Sequence, residues 1–378
     1  MKIVILGAEG YMGWPTAKYL SQYNNKIFLI DNGFKRKISS KLNLKPLFYK
    51  SLKKRVDENQ LSNKVKIFNF DVQNYQKLKT FLIKINPDVI IHFAEQPSAP
   101  YSMMSYENGL HTIKNNLITT YNILYILKDF LKKTHLIKLG TMGEYGTPNI
   151  KIEEGFLNIN HKGRKDKFLY PRQASSLYHT SKIMDTDLIW FYVRNNGLLV
   201  TDLMQGPVYG ISVDKKNNFN SIDTSLFYDE IFGTVLNRFI VQASLKKNLT
   251  IYGKGNQIRG FINLYDSMEC IRLAILNPPS TGRLEVFNQF TEQFSINQLA
   301  NKVVKAAAEL DINIGLNKIK NPRNEKADHY YNASNSKLKK LGLNYQKLNK
   351  EYLKKIIKRV ISEKSKVNKN VIYNGIKW

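Results

Sequence analysis

The run KIVIL at 2–6, followed at once by GAEGYMG at 7–13, constrains the fold more than any other stretch of this chain. A short apolar run passing directly into Gly7, Gly10 and Gly13 reads as a buried strand, a tight turn and the start of a helix. Glycine permits the turn, lets the backbone approach a pyrophosphate and allows close contact between helix and strand. Further apolar runs, KIFLID, VKIFNF, DVIIHFA and HLIKLG, alternate with helical patterns. The alternation predicts an α/β fold on a doubly wound, Rossmann-like parallel sheet. Asp31 closes the second run, 18 residues after Gly13. A carboxylate there accepts from a ribose 2′-hydroxyl and repels a 2′-phosphate, so NAD is expected over NADP, although Arg36 nearby argues the other way. Tyr11, Met12 and Asn32 are expected in the same cofactor site. Asp71 and Val72 follow the third run and meet the adenine on one reading; on the other, Asp71 caps the next helix.

The stretch LYHTSK at 177–182 places Tyr178 four residues before Lys182. On a helix these positions share a face. An ammonium beside the phenol favours phenolate and makes a usable general base, which alcohol oxidation at a nicotinamide needs. An ordinary amphipathic helix gives the same spacing, in a chain with 22 Tyr. The glycine turn in register and Thr141 at a strand end favour the catalytic reading.

At 378 residues and 43% hydrophobic content the chain can bury a large core. Residues 1–205 are expected to form the nucleotide-binding domain and 206–378 mainly a smaller mixed lobe, with some segments returning to the first. That lobe would cover the carboxyl ends of the strands and form a cleft. Gln257 and Arg259 in GKGNQIRGF, and Arg323 in NPRNEKADHYYNAS, can face it. Arginine forks match diphosphate oxygens, while a surface ion pair is the plainer reading of each. The net charge of +28 raises the question of nucleic acid. The lysines are scattered, however, and their denser clusters (35–37, 162–167, 350–366) lack interleaved aromatics, so none is expected. The single cysteine, Cys270, has no internal disulfide partner, no metal-ligand cluster appears, and no apolar run is long enough to span a membrane. With a strand starting immediately after Met1, no leader is expected, which suits a prokaryotic cytoplasm or a plastid stroma.

The segments EQPSAPYSM, KLGTMGEYGTPNIKIEEG, YPRQASSLYHTSK, YDEIFGTVLNRF, IYGKGNQIRGF, VFNQFTEQFS and NPRNEKADHYYNA carry a resemblance over nearly the whole chain. The chain resembles the UDP-sulfoquinovose synthase family of extended short-chain dehydrogenases/reductases. The resemblance implies UDP-glucose and sulfite as substrates, NAD as cofactor, a homodimer and, in some members, a protein that delivers sulfite. It also implies oxidation at C4, loss of the C5 proton and C6 hydroxyl to give a 4-keto-5,6-ene, addition of sulfite at C6, and re-reduction. Thr141 would orient the sugar, Tyr178 would act as base, and Lys182 would bind the nicotinamide ribose and tune Tyr178. Glu144 would move the C5 proton, and His179 would serve as an acid or sulfite contact. Gln205, Asn237, Arg238, Gln257, Arg259 and Arg323 would hold the UDP-sugar.

Sugar-nucleotide dehydratases carry Thr-Asp-Glu where this chain has Thr141, Met142 and Gly143, followed by Glu144. That pattern suits elimination followed by capture of an external nucleophile, with a UDP-sugar 4-epimerase or 4,6-dehydratase as the alternative. An RNA-binding derivative of the fold is more remote, because such proteins tend to lose the Tyr–Lys pair. Two positions depart from the family pattern: Pro97 replaces an arginine and Met204 an asparagine. Losing one charge-assisted bond costs about 1.5–3 kcal/mol, enough to weaken substrate or sulfite binding without erasing catalysis unless nearby lysines compensate.

Overall fold

The computed structural model describes residues 1–216, 219–323 and 330–372. Residues 324–329 of the NPRNEKADHYYNA run, and 217–218 of the polar insertion, lie outside the described residues. The first half supplies β1 (Lys2–Leu6), β2 (Lys26–Asp31), β3 (Val65–Asn69), β4 (Val89–His92), β5 (His135–Thr141), a hairpin of β6 (Phe156–His161) and β7 (Arg164–Leu169), and β8 (Leu199–Gln205). The second half supplies β9 (Val208–Tyr209), β10 (Leu249–Tyr252), β11 (Ile258–Asn263), β12 (Leu284–Gln289), β13 (Glu292–Ser295) and β14 (Leu316–Ile319).

Seven strands form one sheet in the order β3-β2-β1-β4-β5-β8-β12, with every pair parallel. Parallel strands covered on both faces need apolar residues on both. In β1, Ile3 and Ile5 enter one core cluster and Val4 and Leu6 the other. The strand order reverses between β1 and β4, and at such a point the loops leaving the carboxyl ends part to form a crevice. The last strand, β12, comes from beyond residue 205 and pairs along its length with β8.

The remaining segments build a second core over that crevice. There β11 pairs with β9 in parallel and with β13 antiparallel, and β10 pairs with β14. Helices Val235–Ser244, Ile296–Ala308 and Lys350–Ile361 pack beside them. In the last of these, Tyr352, Leu353, Ile356, Ile357 and Val360 are buried at helical spacing, which leaves its lysines facing water. Lys350 and Lys354 both pair with Glu309. The 162–167 lysines belong to the exposed tip of the β6–β7 hairpin, where Lys162 (φ 49°) and Gly163 (φ 79°) make the turn. Among the described residues, no helix is long and apolar enough to cross a membrane.

Asp266, fully buried on helix Leu264–Leu276, ties the C-terminal stretch to the sheet by accepting from the Gln346 N–H at 3.0 Å. Its other oxygen has no partner, and burial raises its carboxyl to about 7. A carboxyl with a raised folded pKa takes up protons on folding, so stability falls as pH climbs from about 4 to about 7 and is level above. Asp266→Asn removes that penalty. Its melting temperature should match the wild type near pH 4 and exceed it at pH 8 by roughly 2 °C or more.

Candidate active site

The carboxyl ends of the central strands open into a cavity of about 720 Å³ that the second core roofs over. At one end lies the glycine turn. Gly7 has φ +82°, and a Cβ there would stand 2.4 Å from the Phe93 carbonyl oxygen, so only glycine lets the turn pass beside the end of β4. A Cβ on Gly13 would sit 2.5 Å from Ala8 Cα, which keeps the helix start tight against the turn. Met12, at the N-cap of helix Gly13–Ser21, offers no side-chain cap. The first amides of that helix are therefore available to an anion, and its dipole favours one. Asp31 is held by the N–H groups of Glu9 (2.8 Å) and Gly33 (2.7 Å), and its side chain lines the cavity. Arg36 is turned aside to Glu9 at 3.3 Å and does not line the cavity. Asp71 accepts from the Asn32 amide at 3.0 Å and the Gln73 N–H at 2.9 Å. The helix cap that one reading gave Asp71 belongs to Asn74, which accepts from the Lys77 N–H. Val72 lines the same end. An uncapped helix start, a glycine turn, a fixed carboxylate and an apolar Val72 are a donor set that fits a dinucleotide.

The reacting end is built where β5 and β8 finish side by side, with Thr141 opposite Gln205. Ser176 caps helix Leu177–Asn196, and its hydroxyl lies 2.9 Å from His179 Nδ1. Burial, reinforced by Arg323 and Arg259, lowers His179 to about 3 and keeps the ring neutral. Thr141, Tyr178 and His179 all line the cavity. Gly143 makes room for the imidazole: a Cβ there would lie 2.3 Å from it. On the roof, Gln257, Arg259 and Arg323 line the cavity, as do Asn237 and Arg238, whose guanidinium sits 4.8 Å over the Tyr252 ring. Tyr11 joins floor to roof by donating to the Gly210 carbonyl and accepting from the Asn237 amide.

Two expectations need correction. Glu144 does not line the cavity: its carboxylate is fully buried beneath it, accepting from Thr186 (3.1 Å), the Thr141 N–H (3.3 Å) and Lys138 (3.3 Å). With Thr141 it forms a capping box for the turn Met142–Tyr145 and so supports that turn from below. Lys182 is also fully buried, and among the described residues no hydrogen bond joins it to Tyr178. Its ammonium is taken by Glu95 and lies 3.8 Å from Asp185. Burial, then Glu95 and Glu144, push the Tyr178 phenol up, opposite to the depression expected from Lys182.

Sequence reasoning missed Glu95 and Lys35, which both line the cavity. Lys35 lies 4.1 Å from the Phe227 ring centre and 4.9 Å from that of Phe232, and burial lowers its ammonium to about 8. In sequence it is one of three consecutive basic residues, 35–37, with nothing to set it apart from its neighbours. Pro97 lines the cavity, whereas Met204 is fully buried beside Gly140 and takes nothing from the cavity wall. Since Gly143 is what seats His179, Gly143→Ala should cut turnover by about 10²-fold through misplacement of the imidazole. UDP binding, measured by calorimetry, should change little.

The model of the NAD dependent epimerase/dehydratase family matches residues 3–288. The chain is 41% identical to the chloroplastic UDP-sulfoquinovose synthase of Spinacia oleracea, over 100% of this chain and 79% of that one. It is 38% identical to the UDP-sulfoquinovose synthase of Sulfolobus acidocaldarius, over 100% and 98%. The crystal structure of UDP-glucuronic acid 4-epimerase from Bacillus cereus in complex with UDP-glucuronic acid and NAD superposes with a TM-score of 0.70 at 19% identity, covering 95% of this chain and 100% of that one, and it shares the fold. Sheet order, glycine turn and these matches agree, and the chain belongs to the NAD-dependent epimerase/dehydratase family, in its UDP-sulfoquinovose synthase branch.

Proposed function

We propose that this protein converts UDP-glucose and sulfite to UDP-sulfoquinovose. The observation that carries the reading is the wall formed by Thr141, Tyr178 and a neutral His179, with Gly143 in place of an acid beneath the imidazole. The glycine turn, Asp31, Asn32, Asp71 and Val72 would hold NAD. Bound NAD supplies a reversible acceptor for the hydride at C4 of the sugar.

The chain's own residues account for the proton steps. Thr141 and Tyr178 hold the C4 hydroxyl, and Tyr178 takes its proton and later returns it. Once C4 is a ketone, the C5 hydrogen is acidic, and His179 carries that proton toward the departing C6 hydroxyl, which leaves as water. A neutral imidazole can accept a proton, and a diphosphate beside Arg259 and Arg323 would offset the repulsion that now lowers its affinity for one. Sulfite then attacks C6 through sulfur, and C5 regains a proton. Glu144 has no part in this sequence beyond fixing the turn that presents Thr141.

A homodimer belongs to the same reading. Helices Tyr106–Phe130 and Leu177–Asn196 pack on each other and leave Ile118, Tyr121, Met184 and Phe191 exposed on their outer faces. Such a patch favours a second copy of the same helix pair.

The direct test is incubation with UDP-glucose, with and without sulfite, followed by mass analysis of the nucleotide sugars. A sulfonated UDP-hexose formed only with sulfite is expected. UDP-galactose or a 4-keto-6-deoxy sugar as the sole product would overturn the assignment.

A further inference from the structure

Glu95 follows β4 and lies on the cavity floor, with its side chain 7% exposed. One oxygen accepts from the Lys182 ammonium. The other lies 3.3 Å from His92 Nε2, which is itself 3.3 Å from the Thr120 hydroxyl. Burial holds His92 near 4, so that imidazole is neutral and Lys182 is the cation facing Glu95. Lys182 has a second carboxyl group, Asp185, at 3.8 Å, which burial and then the Glu95 charge raise to about 8, so that it ionises fully only when the Glu95 charge is removed. Burial opposes phenolate at Tyr178 most, the charges of Glu95, Glu144 and Asp185 oppose it further, and that of Lys138 favours it. The buried lysine that should assist the phenol is thus committed to a carboxylate, and that carboxylate lines the same cavity as the phenol.

We propose that Glu95 is a positioning residue for the tyrosine base. It fixes the Lys182 ammonium at the cavity floor and holds back ionisation of Tyr178, so the strength of the base depends on how firmly Glu95 keeps Lys182. This rests on the reading of Tyr178 as the base. Neither the Tyr–Lys spacing nor the cofactor turn points to Glu95; its ion pair with Lys182 and its place in the cavity that Tyr178 lines do.

Two measurements on the full-length enzyme as purified test it. The first is the pH profile of kcat. Glu95→Gln removes the charge that opposes phenolate while leaving Asp185 to hold Lys182, so the acid limb should move to lower pH by about one unit. Glu95→Asp keeps the charge and should keep the limb in place. An unmoved limb in Glu95→Gln would overturn the positioning role. The second is a thermal-melting cycle with Lys182→Met, which reads the ion pair whether or not turnover survives. Glu95→Gln should lower the melting temperature in the wild-type background. It should not lower it in the Lys182→Met background, where Glu95 is a buried charge without its cation. Additive losses would show that the pair does not exist and would sink the proposal. Tyr178→Phe separates the two levels: near-full turnover in that variant removes the base reading itself. Lost turnover there, with an unmoved Glu95→Gln limb, removes only the role of Glu95.

Discussion

Lys138, Glu144, Asp202, Lys182 and Asp185 are charged side chains withdrawn completely from water beneath the cavity, and the site stands on their mutual compensation. Lys138 leaves the middle of β5 and reaches Thr186 (2.7 Å), Glu144 (3.3 Å) and Asp202 of β8 (3.5 Å). It thereby ties together two central strands, the turn after β5 and helix Leu177–Asn196. Burial alone would expel any one of these charges, and removing one partner of such a pair costs about 3–5 kcal/mol. That is a large share of a domain's stability. Thr141 and Tyr178 project from these same elements, so the placement of the reacting groups is inherited from the ion network below them.

The result is a division between layers. Glu144, Asp185 and Asp202 lie below the floor, where they fix backbone and lysines. Above it the wall presents a threonine, a tyrosine and a neutral imidazole, and the roof adds arginines. The missing acid at 143 is itself structural, because any side chain there would collide with His179.

The β1-turn-helix unit, the order of short strands, Asp31 and the tyrosine were legible in the sequence because each rests on local rules: period, turn chemistry and helical spacing. The fate of Glu144 was also written there, since Thr141 and Glu144 have the Thr-x-x-Glu spacing of a capping box. Lys138 was a further signal: a lysine inside a buried parallel strand requires an anionic partner. The hairpin β6–β7 escaped notice although FLNINH and RKDKFL flank a Lys-Gly turn. Glu95 is not legible this way, because its partner stands 87 residues away and only the fold brings the loop after β4 to Lys182.

The separation between a structural carboxylate below and the reacting groups above is open to one direct measurement. In D₂O with UDP-glucose and no sulfite, hydrogen at C5 of the sugar exchanges with solvent whenever the C5 proton is removed and returned. Glu144→Gln keeps the size and much of the hydrogen bonding at that position but cannot act as a base. In a variant shown to be folded and to bind UDP-glucose, C5 exchange should continue, while His179→Asn should stop it. Loss of C5 exchange in Glu144→Gln, with exchange intact in His179→Asn, would contradict this division of roles.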